Sequence, residues 1–201
     1  MKKIDTIIFD LGGVLVDWNP DYVYRSIFND DKKMRQFYED ICTSEWNAEQ
    51  DAGRMLHEAT EDLVAKFPHE EKNIRTYYGR WEDMLRGPID GTVDILKSLK
   101  ESGKYKLYAL TNWSHETFPV ALKKFDFLYW FDGRLVSGEE KVRKPFMEIY
   151  ELLIRKFNID PHTSIYIDDV ERNLTAPESL GMRTIHFESP GQLKEELEEL
   201  L

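Results

Sequence analysis

The feature that most restricts this chain is an alternation. Short apolar runs at residues 4–9, 106–111 (KLYALT), 164–168 (SIYID) and 183–187 (RTIHF) read as strands, with Leu135-Val136-Ser137 as a shorter candidate. The stretches between them have helical spacing. Thr92–Lys100 carries Val93, Leu96 and Leu99 on one stripe and stops at Gly103. Glu116–Phe125 takes Pro119 in its first turn, and Pro145–Phe157 is opened by a proline. Glu171–Leu180 breaks or starts near Pro177, and Gln192–Leu201 sets Leu193, Leu197 and Leu200 on one side. Strands alternating with helices predict an α/β fold with a parallel sheet covered on both faces. Crossovers share one hand, so the strands share one direction.

One region breaks the alternation. From about Asp17 to Arg86 no strand is expected; the residues are charged and aromatic, with helical spacing at Met55, Leu56, Ala59, Leu63 and Phe67. Three or four helices fit there, and Gly87-Pro88 closes the block. The chain then divides into a core of residues 1–16 and 88–201 and an inserted helical lid of residues 17–87. A total of 201 residues is enough for both.

Charge narrows the partners. A net charge of −11 argues against unspecific binding to nucleic acid or to an anionic membrane. No apolar run approaches the roughly 20 residues of a membrane span. The start, Met1-Lys2-Lys3, imitates a signal peptide, but Asp5 and Asp10 interrupt it and no small-residue cleavage site follows. The lone cysteine, Cys42, allows no internal disulfide and fits a reducing cytoplasm. Nothing in the sequence decides between monomer and dimer.

Three of the strands end on chemically capable residues: Asp10, Thr111-Asn112 and Asp168-Asp169. In a parallel sheet these ends share one edge, the edge at which open α/β sheets bind ligands. Each group has a plainer reading as a turn or helix cap. All three on one edge is harder to attribute to capping. Together they suit Mg²⁺, which takes oxygen ligands and is commonly held by one or two carboxylates plus phosphate and water. Asp10 and Asp169 supply carboxylates, while Thr111 and Asn112 supply donors for phosphate oxygens. The matching cation is Lys144, before Pro145, with Lys141 and Arg143 as rivals; a solvated basic turn is the plainer reading of KVRKP.

These residues resemble the haloacid dehalogenase superfamily, over essentially the whole chain. The resemblance rests on four motifs in order, FDLGGVL, ALTN, RKP and YIDDVERN, with a helical insertion between the first two. It implies a Rossmann-like core with a helical cap and, for most such proteins, a Mg²⁺-dependent phosphatase. It also implies roles: Asp10 as nucleophile, Thr111 and Lys144 stabilising the transferred phosphoryl group, and Asp10, the Gly12 carbonyl and Asp169 holding the metal, while Asn173 takes the place of a later acid. The expected partner is a small phosphorylated molecule. The DLGGV form is similar to bacterial sugar-phosphate phosphatases such as glucose-1-phosphate phosphatases. Within the cap, SEWNAEQDAG (residues 44–53) is the candidate substrate-facing segment, with Trp46, Asn47, Gln50 and Asp51; the plainer reading packs Trp46 between cap helices.

The departure from the pattern is Gly12, where most phosphatases of the superfamily carry a second Asp that handles protons. Losing general acid–base catalysis slows a reaction by about 10²–10⁴-fold without silencing it. Good substrates should then need little protonation of the leaving group, unless Asp17 or a cap residue substitutes. Gly12 also keeps two alternatives open: a metal-independent 2-haloacid dehalogenase, in which the same Asp attacks carbon, and a catalytically impaired binding protein. A signalling receiver fits less well, since its acid pair and phospho-accepting Asp come in the opposite order.

Overall fold

The computed structural model describes residues 3–201. The leader-like Met1-Lys2 lies outside the described residues. The sheet is built from β1 (Thr6–Phe9), β4 (Lys106–Thr111), β5 (Gly133–Val136), β6 (Ser164–Asp168) and β7 (Arg183–His186). Their order is β5-β4-β1-β6-β7, and every pairing is parallel. The first strand in sequence is thus central. All four of its residues are buried, as an apolar run without alternation requires when both faces are covered. Phe9 pairs with Ala109 on one side and Ile167 on the other, so Asp10 emerges between the ends of β4 and β6.

Helices cover both faces: α6 (Asp90–Ser102), α7 (Phe118–Lys124), α8 (Ser137–Glu140), α9 (Met147–Phe157), α10 (Thr175–Ser179) and α11 (Pro190–Leu200). One face packs Ile7, Phe9, Leu96, Leu99, Leu193 and Leu197; the other packs Ile8, Leu110, Ile149, Tyr150 and Leu153. Each such fully buried side chain contributes about 1.5–3 kcal/mol. Local chemistry sets the ends. Gly103, at φ 63°, caps α6, and a capping box between Ser189 and Gln192 opens α11.

The helical insertion comprises α1 (Asp21–Tyr24), α2 (Asp31–Asp40), α3 (Ser44–Asp51), α4 (Leu56–Lys66) and α5 (Glu71–Gly79). Five helices replace the three or four expected. Of the expected stripe, Ala59 and Leu63 are buried, whereas Met55 sits outside the helix start and is exposed. The region is also not free of strands. β2 (Val16–Trp18) and β3 (Leu85–Pro88) form an antiparallel ribbon at its base. Gly87-Pro88 therefore lies within a strand instead of ending a helical block. A ribbon of three or four residues is too short for period-two patterning, and Gly and Pro count against a strand unless it lies at an edge. No helix among the described residues is long and apolar enough to cross a membrane.

Candidate active site

The ends of β1, β4 and β6 bring together the acids, and the loop before α9 brings the cation. One carboxylate oxygen each from Asp10, Asp168 and Asp169 lie within 4.8 Å of one another. The Lys144 Nζ sits between two of them, 2.8 Å from Asp10 Oδ2 and 2.7 Å from Asp168 Oδ2. Lys144 is 1% exposed, which for a charged side chain is tolerable only with such pairing. Its main chain is held as firmly. Asn112 Oδ1 accepts from the Lys144 N–H at 2.8 Å, and Asn112 Nδ2 donates to the Lys144 carbonyl at 3.0 Å. Asn112 therefore fixes the lysine loop as well as lining the cleft beside it.

The three acids differ. Asp168 Oδ2 accepts from Lys144 and, at 2.6 Å, from the Tyr166 hydroxyl. Its Oδ1 accepts from Asn173 Nδ2 and from the Val170 N–H, both at 2.9 Å. Four donors fill the lone pairs of a carboxylate, so Asp168 positions Lys144 and has nothing left for a metal. Burial works to raise its pKa, but Lys144, Tyr166 and the Val170 N–H outweigh that and hold it below the usual carboxylate range. Asp10 goes the other way: burial raises its pKa, joined by the charges of Asp168 and Asp169, against the pull of Lys144. Asp169 is raised by burial and by Asp168. The sequence expectation names Asp169 alone of this acid pair as a metal ligand; the four donors to Asp168, from Lys144, Tyr166, Val170 and Asn173, are what the structure adds.

The two glycines after Asp10 do different things. Gly13 has φ 75°, and a Cβ there would stand 2.2 Å from Asp169 Oδ2, so only glycine lets this loop lie against the acid. At Gly12 a Cβ would meet nothing within 4 Å. Gly12 opens onto a small cleft of about 80 Å³ lined also by Trp18, Asn47, Asp51, Tyr78, Trp81 and Trp113. Two of the lining residues, Trp18 and Trp113, bury their indole N–H groups without an acceptor among the described residues.

The remaining candidates are placed as follows. Thr111 ends β4 and is buried. Asn47 lines the cleft, accepting from the Tyr78 hydroxyl at 3.0 Å and donating to Asp51 Oδ2 at 3.2 Å. Trp46 does not line it. Its ring packs against Tyr77 and Tyr78, and its Nε1–H donates to the Ala59 carbonyl, so the expected substrate contact gives way to packing between cap helices. Gln50 is fully buried and donates to the Trp46 carbonyl and the Tyr78 hydroxyl. Asp17 accepts from the Tyr22 hydroxyl and does not line the cleft either. Trp18, Tyr78 and Trp81 were not foreseen as lining residues, because helical periodicity does not say which aromatics face inward.

Donor set and charge fit a divalent cation. Asp10 and Asp169 lie close together and offer only oxygen ligands, the donor type that Mg²⁺ takes.

Residues 4–181 match the family model of haloacid dehalogenase-like hydrolases. A phosphorylated carbohydrates phosphatase of Thermotoga maritima is 28% identical over 191 residues, covering 91% of this chain and 84% of that protein. Drimenol cyclase drtB of Aspergillus calidoustus is 26% identical over 198 residues and covers 96% of this chain, but the match spans only 36% of its own length. A haloacid dehalogenase family enzyme of Bacteroides thetaiotaomicron, solved with magnesium and inorganic phosphate, superposes with a TM-score of 0.72 at 24% identity, covering 92% of this chain and 95% of that one. The chain belongs to the haloacid dehalogenase-like hydrolases, and it is an enzyme of that hydrolytic class.

Proposed function

We propose that this hydrolase is a Mg²⁺-dependent phosphatase of small organic phosphomonoesters that works through an aspartyl-phosphate on Asp10. The observation that carries the reading is the charge balance at the sheet edge. Three clustered carboxylates face one lysine ammonium, leaving an excess of two negative charges when all are ionised. A divalent cation offsets that excess, and an anionic substrate can then approach. Asp10, Asp169 and the Gly12 carbonyl would hold the ion; bound there, Mg²⁺ supplies charge neutralisation for the phosphoryl oxygens.

The protein's own groups do the rest. Asp10 attacks phosphorus along the line of the leaving oxygen. Lys144 spends two of its three N–H bonds on Asp10 and Asp168, which leaves one for a phosphoryl oxygen. Thr111, at the end of β4, offers its hydroxyl to the same group. Water then attacks the phosphorus of the aspartyl-phosphate and frees phosphate and Asp10. The insertion of residues 17–87 acts as the cap that shuts the leaving group in with α3. The aromatic residues that line the cleft suit a leaving group with apolar faces, as a sugar ring has. The buried Cys42 thiol, its pKa pushed up by burial, is compatible with a reducing cytoplasm.

The test is nitrophenolate release from p-nitrophenyl phosphate on the millisecond scale, with Mg²⁺ and with EDTA. Mg²⁺-dependent release that EDTA abolishes is expected. No phosphate chemistry, together with EDTA-insensitive halide release from 2-chloropropionate, would replace this reading with a dehalogenase; no reaction of either kind would leave a binding protein.

A further inference from the structure

A phosphomonoester with an alkyl leaving group needs a proton on the departing oxygen, and the sheet edge has none to spare. Asp10 is the nucleophile, the four hydrogen bonds to Asp168 occupy its oxygens, and Lys144 holds its charge between two acids. The cleft beside Gly12 is where the leaving group must lie, because the loop after β1 leaves that space open. Among the residues lining it, one carries a carboxyl: Asp51, the last residue of α3.

Asp51 is held there from the core. Its carbonyl accepts a hydrogen bond from the Ser137 hydroxyl, which also accepts from the Trp113 N–H at 2.9 Å. Gly53 follows at φ 96°, packed so tightly that a Cβ would stand 3.0 Å from Lys141 Cγ and 3.1 Å from the Gly138 carbonyl. The end of α3 is thus clamped onto α8. The Asp51 carboxyl takes the Asn47 amide at 3.2 Å and the Ser114 N–H. Arg143 and Lys144 from the loop before α9 act on its charge, and it in turn acts on Tyr77 and Tyr78 of α5.

We propose that Asp51 is the general acid and base of this enzyme, delivered to the leaving group by the cap. The inference rests on the phosphatase reading above. In the first step Asp10 forms its bond to phosphorus, the ester P–O bond breaks, and the leaving oxygen takes the Asp51 proton. In the second, water attacks phosphorus and gives its proton to the Asp51 carboxylate as the Asp10–phosphorus bond breaks. The carboxyl is then protonated again and Asp10 is free. Two features suit the group to this work. Burial pushes its pKa up to about 7 against the pull of Arg143 and Lys144. It also sits at the C-terminal end of a helix, where the macrodipole disfavours an anion. An acid–base catalyst works best with a pKa near the operating pH.

The experiment compares wild type, Asp51→Asn and Asp51→Glu with Mg²⁺, on p-nitrophenyl phosphate, whose leaving group departs as an anion, and on propyl phosphate, whose leaving group does not. For Asp51→Asn the first-turnover rate on propyl phosphate should fall about 10²–10⁴-fold, with the nitrophenolate burst kept within about tenfold of wild type. Asp51→Glu should recover part of the loss. Adding Gly12→Asp to Asp51→Asn should restore propyl phosphate turnover, since that side chain has room, and recovery also shows that the variant folds. An equal first-turnover loss on both substrates, or none on propyl phosphate, overturns the inference. Wild type that releases no nitrophenolate brings down the phosphatase reading itself and this inference with it; active wild type with an indifferent Asp51→Asn brings down the inference alone.

Discussion

The two walls of the site are built on opposite terms. On the core side, at Asp10, Lys144 and Asp168, charged groups are buried and paired: Lys144 bridges two acids, and Asp168 accepts four hydrogen bonds. Farther out the cleft is lined by Trp18 and Asp51 of the insertion and by Trp113 of the core, with two buried indole donors lacking acceptors and a carboxyl raised in pKa by burial. A buried pair holds its own geometry before any ligand arrives. An unpaired buried donor costs free energy until something accepts from it. The paired wall is therefore rigid by construction, whereas the wall around Trp18, Trp113 and Asp51 keeps polar groups short of partners.

The contrast can be broken by removing one member of each side. Lys144→Met should do the most damage. It strands Asp10 and Asp168 without their counter-charge, and breaking such a buried pair costs about 3–5 kcal/mol of stability, measurable by urea unfolding in EDTA. It should also lower kcat by about 10²–10³-fold with Mg²⁺, as loss of a charge-stabilising donor does. If stability is unchanged, the core side is not held together by its charges.

Asp51→Asn should act in the opposite sense on stability. The folded-state pKa of Asp51 is raised from 3.8 to about 7, so between those values the native state binds a proton that the unfolded chain releases. Stability therefore falls as pH rises through this window, and the full cost is present above about 7. Asparagine carries no charge and escapes that cost. The variant should melt a few degrees, about 3–6 °C, above wild type on the alkaline side, and the gain should shrink as pH falls toward the carboxylate range. A gain that does not vary with pH would assign the effect to packing instead of charge.

The smallest effect is expected at Trp113→Phe. It deletes an unpartnered donor and keeps an aromatic face, so stability should change by less than about 1 kcal/mol. KM for a sugar phosphate should rise several-fold with kcat nearly unchanged, the signature of lost uniform binding. A kcat loss with KM fixed would place Trp113 with the rigid wall.

Much of the rigid wall was legible in the chain. An apolar run ending at Asp10 reads as a buried strand, and strands of one direction bring Asp10, Thr111 and Asp168-Asp169 to one edge. The gap that Gly12 leaves was equally visible. These follow from local pattern and from the handedness of crossovers, which act on every chain of this type. Tertiary structure alone decided the rest. It supplied Asp168 with its four donors from Lys144, Tyr166, Asn173 and Val170; it buried Trp46 against Tyr77 and Tyr78; it turned Trp18 and Trp81 toward the cleft; and it clamped the end of α3 through Ser137, with Asp51 lining the cleft beside Gly12. The reason is physical. Periodicity reports which face of an element is apolar, but the partner that fills a given lone pair, and the side chain that meets a given cavity, depend on the placement of elements far apart in the chain.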